Sequence, residues 1–175
     1  VINIANIARE AQIDPKSAER YFEILSDTLV GSYLPSYHRS IRKRQLAHPK
    51  FYLFDVGVWR AIRGELQLPL APHTTQYGHA FEHFIIQQAV ALNEYSQSDF
   101  RLSYLRTKDD AEVDLILDRA GQRPLSVEIK SAETVTSGDV KNLIDMARDG
   151  EADAMVLCRT PRPYQLGTAE VLPWQ

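Results

Sequence analysis

Four residues of this 175-residue chain carry side chains that could do chemistry together: Glu82, Asp114, Glu128 and Lys130. Three carboxylates and one ammonium are the set with which a divalent metal ion is held beside a phosphodiester and a water molecule is oriented. Glu128 and Lys130 stand in the run Ser126-Val127-Glu128-Ile129-Lys130, within strand-like apolar sequence from Leu125 to Ile129. Residues two apart on a strand share a face, so Glu128 and Lys130 project together while Val127 and Ile129 turn to the other face. Ionised side chains are rarely placed in such a strand unless they are paired or bind a metal. Asp114, between Val113 and Leu115, has the same setting one strand earlier, where it could sit beside Glu128. Glu82, on the preceding helix, could supply a further carboxylate, and the carbonyl of Ile129 a further ligand. Lys130 could orient the water or stabilise charge developing on the phosphate. The plainer alternative is an Asp and a Glu paired with Lys130 and Arg106 at a sheet edge.

A rival metal chemistry shares one of these residues. His79-Ala80-Phe81-Glu82-His83 places two histidines at i and i+4 on a helix, the spacing that binds zinc with Glu82 as base. The run names no third ligand, and two surface histidines near a helix start are the simpler alternative.

The elements that must position these groups follow from periodicity and punctuation. Gly78 to Asn93 predicts a helix, with Phe81, Phe84, Ile85, Gln88, Ala89 and Leu92 on and around one face. Three strands follow, at Phe100 to Arg106, Glu112 to Asp118 and Leu125 to Ser131, separated by the polar turns 107–110 and 119–122. Ser137 to Arg148 predicts a second helix stopped at Gly150. Ala154 to Cys158 predicts a fourth strand and Ala169 to Leu172 a fifth. The order helix, three strands, helix, strand predicts an antiparallel meander joined by a helical crossover to a further strand.

The chain upstream has a different pattern. Ile4, Ile7, Ala8 and Ala11 are spaced as one helix; Asp14-Pro15 opens a second, with Ala18, Tyr21, Phe22 and Leu25 inward. Two short helices across a tight turn form a helix-turn-helix. Leu29 to Asp55 predicts a hairpin, and 56–64 a short helix ended by Gly64. The hairpin tip carries Arg39, Arg42, Lys43, Arg44 and Lys50, with no acidic residue from His38 to Lys50. These cations could contact phosphates, as could Lys16 and Arg20 at the start of the second helix and Arg106 on the first strand of the meander. A solvated loop, or one docked on an acidic partner, is the alternative, and Glu19 and Glu23 weaken the DNA case for the second helix. Pro69, Pro72 and the lack of periodicity mark 67–77 as a linker between a first domain, 1–66, and a second, 78–175.

Composition, 44% hydrophobic and 25% charged residues, is that of an ordinary soluble globular protein, and the length suits one large domain or two small ones. The net charge of −3 divides unevenly, with ten Lys/Arg against seven Asp/Glu in 1–70 and ten against sixteen in 71–175. A basic first part and an acidic second part fit nucleic-acid contact by the one and metal binding by the other. No apolar run reaches the ~18 residues of a membrane span. The single Cys158, in an apolar run, predicts a buried core residue in a reducing, cytoplasmic compartment. The start, Val1-Ile2-Asn3-Ile4, has no initiator Met and no signal-peptide pattern, and predicts a piece of a longer polypeptide.

The chain resembles the C-terminal half of a group of bacterial and archaeal AAA-type ATPases. In these a P-loop module is followed by a winged helix and a domain of unknown function related to the PD-(D/E)xK nucleases. The carrying segments are 13–21, Pro49 to Gly57, Gly78-His79-Ala80-Phe81-Glu82, Tyr104-Leu105-Arg106-Thr107, Ala111 to Leu115 and Val127-Glu128-Ile129-Lys130-Ser131. The resemblance implies an α/β (α+β) chain, a winged helix-turn-helix followed by a restriction-endonuclease-like αβββαβ domain with a mixed sheet. It matches Asp114 to the motif aspartate, Glu128 to the second acid, Lys130 to the lysine and Glu82 to the carboxylate of the first helix. Val113 stands where the motif has proline, as is common in the wider superfamily. The implied cofactor is Mg²⁺ or Mn²⁺ at Asp114, Glu128 and Glu82. No G-x-x-x-x-G-K-[ST] loop occurs, so ATP would bind only the N-terminal ATPase module of the same polypeptide. The implied partners are that module and nucleic acid, DNA first, with no membrane; a homo-oligomer is compatible. An inactive adaptor for DNA or protein, and more remotely a zinc hydrolase, are the alternatives.

Overall fold

The computed structural model describes residues 1–37, 48–107 and 111–175. The basic residues Arg39, Arg42, Lys43 and Arg44, and most of the turn 107–110, lie outside the described residues. Those described form a mixed α+β structure with five helices, a two-stranded sheet and a mixed six-stranded sheet.

Local chemistry sets the first elements. Helix α1, Ile4–Ala11, starts at Asn3, whose side chain accepts from the Asn6 N–H, and ends at Gln12 in the left-handed region. Helix α2, Pro15–Asp27, is capped by Asp14, which accepts from the Ser17 N–H and hydroxyl. Strands β1, Gly31–Leu34, and β2, Lys50–Leu53, pair antiparallel, and Asp55 caps a short α3, Val56–Ile62. The hairpin is fastened to the large sheet. Tyr104 donates its N–H to the Pro35 carbonyl at 3.0 Å, and Tyr37 donates to the Tyr104 carbonyl at 2.6 Å. The hydroxyl of Tyr104 donates to the His48 carbonyl. Chain leaving β1 thereby covers the edge of the sheet that would otherwise offer open donors and acceptors.

Helix α4, Thr75–Ser96, exceeds the span expected from periodicity by three residues at each end. Thr74 caps it through the Tyr77 N–H, so the last three residues of the expected linker 67–77 are helical. Its ends are polar and exposed, and carry no apolar period to read. Strands β3 (Arg101–Arg106), β4 (Glu112–Asp118) and β5 (Leu125–Ile129) form the expected antiparallel meander. Helix α5, Ser137–Asp149, crosses over to β6, Asp153–Cys158, parallel to β5. Strands β7, Tyr164–Leu166, and β8, Ala169–Pro173, complete the order β3-β4-β5-β6-β8-β7.

The sheet is buried on both faces. Phe81, Ile85 and Ile86 of α4 pack with Leu115, Val127 and Ile129. Val140, Leu143 and Ala147 of α5 pack with Val113, Ile116, Val156, Cys158 and Val171. Cys158 is fully buried, as its apolar run predicts. No helix among the described residues is long and apolar enough to cross a membrane.

Candidate active site

Asp114 owes its direction to an irregularity in the sheet. Ser103 faces Ile116 and Leu105 faces Val113, so the single Tyr104 of β3 spans both Asp114 and Leu115 of β4. Such a bulge re-aims side chains. Val113 and Ile116 pack toward α5 while Leu115 packs toward α4, as the extra residue requires. Pairing of β4 with β5 runs from Leu117↔Leu125 to Leu115↔Val127. One step further, where Asp114 would face Glu128, the Asp114 carboxylate accepts the Ile129 N–H at 2.8 Å. Burial first, then the nearby Glu128 and Glu82 carboxylates, push the Asp114 carboxyl up to about 7, only partly offset by the Ile129 N–H.

Strand β5 ends at Ile129, two residues short of the expected Ser131. Glu128 of β5 pairs at 2.7 Å with Lys130, one residue past the strand's end, while Val127 and Ile129 lie in the apolar cluster on the other face. The strand alternation reads correctly here. Burial raises the Glu128 carboxyl against the opposing pull of Lys130. Burial opposes the charge on Lys130, yet the hydrogen bond and charge of Glu128 hold its ammonium above the usual range.

Glu82 stands in a second cluster. Its Oε1 accepts from Lys50 Nζ at 2.9 Å and from the Tyr52 hydroxyl at 2.6 Å. Lys50 also pairs with Glu112. Burial would lift the Glu82 carboxyl, but Lys50 and the Tyr52 hydroxyl bring it below its ordinary value. Burial disfavours the charge on Lys50, and the two carboxylates outweigh it, lifting the ammonium to about 12. Lys50, Tyr52, His79, Glu82, Arg106 and Glu112 line a cleft of about 370 Å³ between the hairpin, α4 and the β3–β4 edge.

Lys50, expected among the phosphate contacts, is directed elsewhere than the hairpin tip in this geometry. Lys50 is only 9% exposed and faces carboxylates, because it opens β2 and shares a face with Tyr52 and is not on the hairpin tip. Lys16 and Arg20 are exposed on α2, as are Glu19 and Glu23. Arg106 is exposed near the end of β3, 3.9 Å from Glu112.

His83 does not project with His79 into solvent. It is 5% exposed, its Nε2 lies 2.6 Å from the Leu53 carbonyl, and Tyr52 and Trp59 pack edge-on against it. Burial lowers its pKa, so the neutral ring donates Nε2–H to that carbonyl. His83 therefore ties α4 to β2. Among the described residues no group of three or more His, Cys, Asp or Glu converges closely enough to hold a metal ion. Asp114 and Glu128 are the oxygen donors that could hold a hard cation retaining most of its waters.

Two participants escape the sequence reading, Tyr52 and Glu112. The signal for Tyr52 was present: Lys50-x-Tyr52 repeats, on a strand, the two-residue spacing that singles out Glu128 and Lys130. Glu112 had no such mark, since the contact with Lys50 joins segments far apart in the chain.

Residues 77–175 match the model of a family described as a domain of unknown function, DUF4143. Residues 1–68 match a second, described as a domain of unknown function, DUF8612. The chain is similar to uncharacterized protein Rv2008c of Mycobacterium tuberculosis and uncharacterized protein Mb2031c of Mycobacterium bovis. Each is 33% identical over 130 residues, which are 74% of this chain and 28% of the relative. The chain thus spans about 28% of the length of the curated relatives it matches. No solved structure matches it.

Proposed function

This chain belongs to the DUF4143 family, and from that premise we propose that it is the C-terminal part of a P-loop AAA-type ATPase. In this reading a winged helix-turn-helix is followed by a nuclease-derived domain that acts on nucleic acid, DNA first, with Mg²⁺ or Mn²⁺. DUF4143 is found in AAA-ATPase-associated C-terminal regions, which supports the placement. The observation that carries the nuclease reading is Asp114. It sits at a bulge where two strands part, beside the Glu128–Lys130 pair, with a carboxyl lifted toward neutrality by burial among like charges. Such a donor set is short of positive charge, and Mg²⁺ needs few protein ligands.

When bound, the ion would supply neutralisation of phosphate charge and a more acidic water. Asp114 and Glu128 would hold it, and the Ile129 N–H fixes the Asp114 carboxylate in place. Lys130, steered by Glu128, is the cation placed to meet the phosphate or orient a water. Glu82, fixed by Lys50 and Tyr52, adds negative charge next to Asp114 without a free first oxygen. Lys16, Arg20 and Arg106 would contact the backbone of the nucleic acid.

Supercoiled plasmid incubated with the chain and Mg²⁺ or Mn²⁺ tests this. Wild type is expected to nick it, and Asp114→Asn or Lys130→Ala to lose about 10²-fold or more in rate with unchanged circular dichroism. Equal cleavage by the variants would sink the nuclease reading. The adaptor reading draws on the Lys50 pairs, which give two of the cluster's acids a protein partner. A salt-sensitive DNA complex with no cleavage would favour it.

A further inference from the structure

Lys50 touches no reacting group in the chemistry above, yet it is among the most deeply placed cations near the site. Its Nζ bridges Glu82 and Glu112, lies 5.3 Å from the centroid of the Tyr104 ring, and shares Glu82 Oε1 with the Tyr52 hydroxyl. Its side chain is 11% exposed, and those of Glu82 and Glu112 are 23% and 28% exposed. Two part-buried carboxylates need a counter-charge, and here an ammonium from the N-terminal hairpin supplies it. The place it takes adjoins Asp114: Glu112 lies two residues before it on β4, and Glu82 is near enough to act on its charge. In two-metal phosphodiesterases a second ion sits about 3.5–4 Å from the first.

We propose that Lys50 is a positioning residue of this site, a resident cation in the place of a second divalent ion. The chain then holds one metal ion, at Asp114 and Glu128, and Lys50 bars another from Glu82 and Glu112. The first ion rests on the function proposed above; the exclusion by Lys50 does not. Because Lys50 opens β2, the metal count is tied to the seating of the hairpin on α4 and β4. An ammonium carries one positive charge and cannot coordinate a water, so Glu82 and Glu112 are held in position and take no part as ligands.

The test counts Mn²⁺ ions by electron paramagnetic resonance and calorimetry in wild type, Lys50→Met, Lys50→Arg and Lys50→Met with Glu82→Gln. Wild type and Lys50→Arg are expected to bind one ion. Lys50→Met is expected to bind one more, with the line broadening of a close ion pair and a melting temperature that rises with Mn²⁺. The double variant is expected to lose the extra ion. A Lys50→Met protein that Mn²⁺ neither binds in an extra equivalent nor stabilises overturns the proposal, whether or not it folds without metal. An extra ion that persists in the double variant overturns it as well. If wild type binds none and Lys50→Met gains one that depends on Glu82, the Asp114–Glu128 ion is refuted and the role of Lys50 stands.

Discussion

The Asp114 carboxyl sets the pH behaviour of the metal-free protein. Its value rises from an ordinary 3.8 to about 7, through burial and the neighbouring Glu128 and Glu82. Between those values the folded state keeps a proton that the unfolded chain has released. Fewer protons on the unfolded state make stability fall as pH rises through this window. Glu128, also raised, acts in the same sense. Glu82, lowered, acts oppositely: its contribution is present above its ordinary value of 4.5 and is lost as pH falls through its folded value. Comparison with Asp114→Asn isolates the one group. In EDTA, the stability of wild type relative to Asp114→Asn is expected to drop by on the order of a few kcal/mol from about pH 4 to about 7.5. Denaturant titrations at a series of pH values measure it; a flat difference would show that Asp114 is not strained by its neighbours. Strand alternation, which is local, marked Glu128 and Lys130 as candidates that share a face; the direction of Asp114 comes from the bulge. Alternation did not disclose the Lys50–Glu82 pair, since nothing local marks a partner 32 residues away.

At the scale of elements, the bulge and the docked hairpin decide which groups meet. The meander and both long helices were legible from apolar period and caps. The bulge at Asp114 was not, because Glu112 to Asp118 runs Leu115-Ile116-Leu117 without alternation and the extra residue appears only against β3. Strand β7 was missed for a different reason: three residues after Pro161 and Pro163 are too few to show a period. The seating of the hairpin makes a prediction of its own. The amides of Tyr37 and Tyr104, which bond across from the hairpin to β3, should exchange with solvent as slowly as those of the central sheet. Fast exchange at both would mean that the hairpin lifts from the sheet edge, and Lys50 with it. Removing the Thr74 cap is a milder perturbation. Thr74→Ala is expected to cost about 1 kcal/mol by denaturant unfolding, without altering metal binding, because it touches only the first turn of α4.

For the whole molecule, charge and connectivity frame the function. The first 70 residues are net basic and the remainder net acidic, and the hairpin of the first part sends Lys50 into the acids of the second. If Lys16 and Arg20 touch phosphates, replacing both with alanine is expected to reduce the slope of log affinity against log salt by roughly 0.9 per contact on duplex DNA. An unchanged slope in a fluorescence-anisotropy titration would remove α2 from the interface. The most direct test of the central claim is a calorimetric titration of Mn²⁺ into wild type and Asp114→Asn at about pH 7.5, above the raised Asp114 value. One ion bound by wild type and none by the variant is the predicted result. Equal binding by both, or none by wild type, would contradict a metal site at Asp114 and Glu128.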